Sequence, residues 1–299
     1  MVVALDAAST ANTGTSTTST SLTFAHTCTG SNLVLFVAVS IRGTNAVSSV
    51  TYNSVALTNM STIGASDART ELWRLINPAT GANNVIVDFG TATRFVAGAI
   101  SFTGANQTDP DGTPVTATGL LTNSPGGSVT GVSTDNIILG VFAAEGAPTI
   151  TVEGTGQTSR WIGVTNAAPN IRGHGCTEAS AVGAVAITHT ISASVDWSWI
   201  GVEVLVAGGT DVTVAATVGG GSTWQGAAGA AQTGAVVTAT VGGGFTMQGV
   251  AGAVAIDATP LATAGGGMTF QGQAGIVMDA LALFGRAASM FYTATGWRR

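Results

Sequence analysis

Apolar positions along this chain fall into short runs separated by Gly, Asn, Asp, Ser and Pro. Leu33-Val34-Leu35-Phe36-Val37-Ala38-Val39-Ser40 is almost continuously apolar, the pattern of a strand covered on both faces. Val50-Thr51-Tyr52-Asn53-Ser54-Val55-Ala56-Leu57 predicts a hairpin that turns at Asn53-Ser54. Glu71-Leu72-Trp73-Arg74-Leu75-Ile76 predicts a strand stopped by Asn77-Pro78, and Asn84 to Phe89 alternates with a period of two. Phe95 to Phe102, Ile137 to Ala143, Ala184 to His189 and Trp197 to Val206 complete the strands. Residues 7 to 21 are almost entirely Ala, Ser, Thr, Asn and Gly, and read as a flexible arm or an edge strand awaiting a partner. Helical periodicity is nearly absent up to residue 206. Strands without intervening helices predict an all-β, antiparallel sandwich over residues 1–207, not a parallel α/β sheet.

The pattern changes at Gly208-Gly209-Thr210, which is read as a domain boundary, and residues 212 to 256 carry no charge. Glycine triplets then begin at Gly219, Gly242 and Gly265, a period of 23 residues. Each triplet is followed by Thr223-Trp224-Gln225-Gly226, Thr246-Met247-Gln248-Gly249 or Thr269-Phe270-Gln271-Gly272. One unit reads as strand, glycine turn, strand, because glycine tolerates positive φ. A single unit is too short to bury a face, so units must stack on one another or on other subunits. Residues 208–299 are therefore expected to form a small glycine-rich β-repeat domain. Its oligomer interface would be built from Trp224, Met247, Phe270, Gly219, Gly242 and Gly265. The segment from Met278 to Phe291 fits either a helix or a fourth, degenerate repeat.

Composition narrows the class. Apolar residues make up 45 % of the 299, and charged residues only 8 %, against roughly 25 % in an average domain. A membrane-spanning helix needs about 20 consecutive apolar residues, and every apolar run here is broken sooner. The net charge is −6, all nine basic residues are arginine, and no basic patch stands out. That disfavours nucleic acid as a partner. The lack of lysine reads as coding bias, or as selection against lysine chemistry. So weakly charged a surface resists aggregation poorly and is expected to be covered by copies of itself or by partners. The opening residues lack the basic and apolar regions of a signal peptide. That fits a mature form numbered from Met1, or a protein assembled inside a cell. Cys28 and Cys176 read as two small buried residues, or as a pair if the fold joins them.

The search for chemistry returns few candidates. Without lysine there is no Walker phosphate loop, Schiff-base lysine or kinase-type lysine, and neither HExxH nor GxSxG occurs. Arg172-Gly173-His174-Gly175-Cys176-Thr177-Glu178 gathers a His, a Cys and a Glu that could bind zinc or form a nucleophile pair. Its one-residue spacings do not match a zinc knuckle and no second ligand pair accompanies it. It is read as a glycine-rich loop, and neither a metal nor another cofactor is expected. Asp109-Pro110-Asp111-Gly112 reads as a turn, with calcium ligation as the alternative. Trp73, Trp161, Trp197 and Trp199 could form a sugar-stacking platform, Trp197 and Trp199 sharing one strand face; the other reading is a core or interface stripe. No catalytic residue is assigned, and the chain is expected not to be an enzyme.

The first two thirds of the chain resembles a jelly-roll module of the concanavalin/laminin-G-like kind, found in phage virion proteins and bacterial surface proteins. The resemblance rests on Ser31 to Leu35, Val50 to Thr58, Glu71-Leu72-Trp73, Asn77-Pro78, Gly98 to Gly104, Gln107 to Pro110 and Trp199 to Val204. It implies a fold more than a function. The expected role is a non-enzymatic virion structural protein: a capsid decoration, head-fibre or tail-fibre component. It would assemble as a homotrimer with other virion proteins, without nucleic acid or membrane. The alternative is a carbohydrate-binding adhesin of a bacterial surface, with a host-surface glycan as partner.

Overall fold

A computed structural model describes residues 2–14 and 18–207 and, between 208 and 299, the backbone of the strands named below. The chain divides into two units, Met1–Ala207 and Gly208–Arg299.

In the first unit every strand pairing is antiparallel. Nine strands come first: β1 (Ala4–Asn12), β2 (Ser19–Cys28), β3 (Val34–Arg42), β4 (Val47–Tyr52), β5 (Val55–Ala56), β6 (Thr58–Ala65), β7 (Ala68–Ile76), β8 (Gly81–Thr93) and β9 (Phe95–Thr103). They form a sheet in the order β1-β9-β3-β7-β6 and a second in the order β2-β8-β4-β5. Eight more follow: β10 (Val115–Thr122), β11 (Gly126–Gly131), β12 (Ile137–Glu145), β13 (Ile150–Glu153), β14 (Thr158–Val164), β15 (Ile171–Ala179), β16 (Gly183–Ile191) and β17 (Val195–Val204). Their sheets run β10-β17-β12-β15-β14 and β11-β16-β13. Replacing β1 by β10, β2 by β11, β3 by β12, β4 by β13, β6 by β14, β7 by β15, β8 by β16 and β9 by β17 turns the first pair of orders into the second. Only the two-residue β5 lacks a counterpart. The single sandwich expected over residues 1–207 is thus two sandwich units of one topology.

Three cores hold this unit. One lies within the first sandwich and includes Leu35, Val37, Tyr52, Val87 and Phe95. Another lies within the second and includes Ile138, Phe142, Ile187, Trp197 and Trp199. The third joins the two five-stranded sheets, with Phe36, Ile100 and Phe102 from one side and Leu139, Trp161 and Ile200 from the other. Five-stranded sheets covered on both faces explain why β3, β9, β12 and β17 are buried along almost their whole length. The outer sheets have one face in solvent, so β8 turns Val85, Val87 and Phe89 inward and leaves the residues between them less buried. Full burial of such a side chain contributes about 1.5–3 kcal/mol.

Tryptophan and glycine pack as complements here. A Cβ on Gly98 would lie 2.1 Å from the Trp161 indole, and one on Gly201 2.2 Å from that of Trp199. The strands therefore approach through glycine where an indole lies between them. Polar groups also bridge the middle core. Thr70 Oγ1 donates to the Ser198 carbonyl at 3.0 Å, and Ser40 Oγ donates to that of Phe142 at 3.2 Å.

Local expectations meet mixed outcomes. The hairpin turns at Asn53-Ser54, with φ of 49° and 63°, the left-handed pair of a two-residue turn. Residues 7–12 belong to β1 and residues 19–21 to β2, paired with β9 and β8 of the same chain; this corrects the free arm. The segment from Arg172 to Glu178 is part of β15, hydrogen-bonded between β12 and β14, and not a loop. Asp109-Pro110-Asp111-Gly112 runs beside the end of β17, where Asp111 pairs with Arg74.

In the second unit, Ser222–Gln225, Phe245–Gln248, Met268–Gly272 and Met290–Ala294 form one parallel sheet. Trp224 pairs with Met247, Met247 with Phe270, and Phe270 with Tyr292. A second parallel ladder joins Val214–Ala216, Val237–Ala239 and Leu261–Ala262. Gly219, Gly242 and Gly265 lie outside the described residues. Of the segment from Met278 to Phe291, the described ends belong to strands Val277–Asp279 and Met290–Ala294, not to a helix.

Candidate functional site

Strand alternation builds the most distinctive polar cluster. On β15, Gly173 and Gly175 face the Trp161 indole; a Cβ on Gly175 would lie 2.2 Å from Trp161 Nε1. The intervening residues, His174 and Cys176, point the other way, into the second sandwich. β16 crosses on the facing sheet and turns Val185, Ile187, His189 and Ile191 inward. His174, Cys176 and His189 thus meet in one apolar core, with relative exposures of 0 %, 0 % and 3 %. One donor atom from each lies within 4.8 Å of the others. The two imidazoles meet edge to face at 5.0 Å, and Phe142 packs against both, at 5.1 Å from His174 and 5.0 Å from His189.

Outer partners orient each ring. His174 Nε2 lies 2.9 Å from Ser159 Oγ and 3.3 Å from Glu153 Oε1. An ionised carboxylate only accepts, so the proton sits on Nε2. His174 Nδ1 is then a bare acceptor, buried and without a hydrogen-bond partner. His189 Nδ1 lies 3.3 Å from the Pro125 carbonyl, another pure acceptor, so Nδ1 carries the proton and Nε2 is left unprotonated. The Cys176 thiol donates to the Gly140 carbonyl at 3.6 Å.

Burial governs the charge states. It pushes His174 down to about 3, helped by His189 and Arg172. It pushes His189 down to about 4 against the Pro125 hydrogen bond. It pushes the Cys176 thiol up to about 12, with Glu153 and Glu178 adding to the shift. A nucleophilic cysteine needs its thiolate and access to substrate. This one has neither, so the group is not a poised Cys–His pair.

Comparison with family models, with curated proteins and with solved structures finds no match to this chain. The reading of the site therefore rests on its geometry.

The residues singled out from sequence have separate fates. Trp161, Trp197 and Trp199 are only 4 %, 6 % and 0 % exposed, so no surface platform forms. Trp197 and Trp199 do share a strand face, but it is the interior one. Trp197 Nε1 donates to Thr122 Oγ1 at 2.7 Å. Cys28 and Cys176 are free and lie in different cores. Glu178 lines a depression of about 370 Å³ with Arg160 and Asp135. Trp224, Met247 and Phe270 share a register position, and their side chains lie outside the described residues.

Sequence reasoning missed His189, Glu153 and Ser159 as members of the cluster. His189 had a usable signal, because it occupies the apolar phase of an alternating strand. Glu153 and Ser159 had none, since they reach His174 only through the pairing of sheets.

Another cluster links Ser9, His26, Ser101 and Asp6. His26 lies 2.8 Å from Ser9 Oγ and 3.0 Å from Ser101 Oγ, and Ser101 donates to Asp6 at 2.7 Å. It joins β1 and β9 of one sheet to β2 of the other. Burial pushes His26 down to about 4.

Proposed function

We propose that this chain is a non-enzymatic structural component of a virion, a capsid-decoration, head-fibre or tail-fibre protein that assembles through residues 208–299. The observation that carries this reading is the parallel ladder in which Trp224, Met247, Phe270 and Tyr292 share one register position. Three strands repeat every 23 residues and a fourth follows after 22, and they pair in register into a ladder whose two end strands have one neighbour each among the described residues, leaving edges to be covered. The sequence there is uncharged from residue 212 to 256, so nothing repels a second copy. Edges of this kind are stable when covered, and a homotrimer covers them symmetrically.

The 1–207 unit supports the same reading. In the first sandwich, β1-β9-β3-β7 lies beside β2-β8-β4-β5, the interleaving a jelly roll has. The first sandwich is then a jelly-roll variant whose fifth strand, β5 and β6 together, is shared between sheets, and the second keeps the same strand order without a counterpart of β5. The adhesin alternative has lost most of its residues, because Trp161, Trp197 and Trp199 are buried and only Trp73 is partly exposed.

Light scattering on the full chain is expected to give the mass of three copies. A monodisperse single chain at every concentration overturns assembly through this region. Antibody labelling of the native source is expected on a capsid lattice or a fibre; label confined to a cell surface overturns the virion assignment.

A further inference from the structure

The geometry points to a buried transition-metal site formed by His174, Cys176 and His189, taking a borderline divalent cation of the zinc class. Three observations carry it. The donor atoms are already gathered within 4.8 Å of one another from two facing sheets. Metal–nitrogen and metal–sulfur distances of about 2.0–2.3 Å place ligand atoms about 3.4–3.8 Å apart. Closure therefore needs a contraction of about an ångström, within reach of side-chain rotation.

The second observation is the unpartnered His174 Nδ1. A buried acceptor without a partner is unfavourable, and a cation shared with the other donor atoms of the cluster would satisfy it. The third is the set of outer contacts. Glu153 and Ser159 hold His174 Nε2, and the Pro125 carbonyl holds His189 Nδ1. A metal-ligating histidine commonly donates its outer ring N–H to a carboxylate or backbone carbonyl, which turns its other nitrogen to the metal. Both histidines here have that arrangement.

Two imidazoles and a thiol select the class. Soft and borderline donors favour zinc or copper over magnesium or calcium, which want oxygen. On binding, the Cys176 S–H bond breaks, its proton leaves to solvent, and the thiolate sulfur donates to the cation. Glu178, grouped with these residues in sequence, is not a ligand.

The test uses Co2+ as a spectroscopic probe on the untagged full chain, added to purified protein and, separately, supplied in the growth medium. Growth loading covers the case of a core too closed for later entry. The expected result is one Co2+ per chain, a thiolate-to-cobalt charge-transfer band, and displacement by Zn2+. Cys176→Ser should abolish the band, while Cys28→Ser should keep it. His189→Val places the same side chain that Val87 supplies on β8, and should weaken binding by at least about tenfold. Glu153→Gln should weaken it by about 10–100-fold while keeping the band. Absence of the band after both loadings, or its survival in Cys176→Ser, overturns the site. Circular dichroism of each variant separates lost binding from lost folding.

Discussion

The two sandwiches fill the same frame differently. In register, Glu71 corresponds to His174, Trp73 to Cys176, Val87 to His189 and Ala97 to Trp199. In the first sandwich the one buried carboxylate is fully partnered. Glu71 accepts from Arg69 at 2.8 Å, from Val47 N and Trp73 Nε1 at 3.2 Å, and from Asn59 at 3.3 Å. The second keeps a ring nitrogen without a partner and sets two more donor groups beside it. The first sandwich also carries its indole on β7, partly exposed, whereas the second carries one on β17, fully buried. One topology thus tolerates a self-satisfied core or a core with ligand atoms left over. What changed is side-chain identity at inward positions, these four among them, with Gly127, Gly140 and Gly201 making room for Trp199.

The largest expected effect tests that indole exchange. Trp199→Ala should cost about 3–5 kcal/mol, since it empties a dry cavity lined by glycine backbone. Trp73→Ala should cost less than half as much, because part of that ring already faces solvent. Denaturant unfolding of the full chain measures both. Equal losses would mean that the two sandwiches bear load alike, and the contrast drawn from burial fails.

A smaller effect comes from pH. His26 of the first sandwich is held neutral, its pKa pushed down to about 4. An unfolded histidine titrates near 6.5. Below that pH the unfolded chain takes up a proton that the folded core refuses. Stability is therefore full above about 6.5 and falls by about 1.4 kcal/mol per pH unit down to about 4, for this group alone. His174 and His189 of the second sandwich shift in the same direction. His26→Gln, which can keep the hydrogen bonds to Ser9 and Ser101, should flatten the acid limb of the unfolding midpoint against pH. A curve parallel to that of the unaltered chain would remove His26 from the account.

The fold class was legible wherever one physical signal dominated. Continuous apolar runs marked β3, β9 and β12, and Asn53-Ser54 marked its turn. β15 was not legible, because alternating Gly with His and Cys looks like a loop until Trp161 is known to cover the glycine face. The doubling of the sandwich was hidden for a related reason. Equivalent positions carry different residues, Trp73 against Cys176 and Val87 against His189, so only strand order reveals it. The cluster was half visible: His174 and Cys176 stood together, but their third partner sits on a strand of the facing sheet. The 23-residue period was plain in the sequence, whereas the parallel direction of its strands was not, since glycine spacing fixes recurrence and not orientation.

The smallest expected effect sharpens the comparison most finely. Arg42 closes β3 and Glu145 closes β12, so they occupy equivalent positions, and they form an ion pair at 2.9 Å. Two frames of one topology bring equivalent ends together, where identical side chains would place like charges side by side. Opposite charges turn that repulsion into attraction. The pair is partly exposed, at 15 % and 30 %, and Arg42 also holds Asp67 at 2.8 Å. Solvent screening keeps its contribution small, so Glu145→Gln should cost at most about 1 kcal/mol. Glu145→Arg should cost more than Glu145→Gln, because it restores like charges, and added salt should shrink the difference. Unfolding midpoints of the two variants at low and high ionic strength measure this. If both cost the same at low salt, charge plays no part in joining the two sandwiches, and the apolar middle core with its Thr70 and Ser40 hydrogen bonds holds them alone.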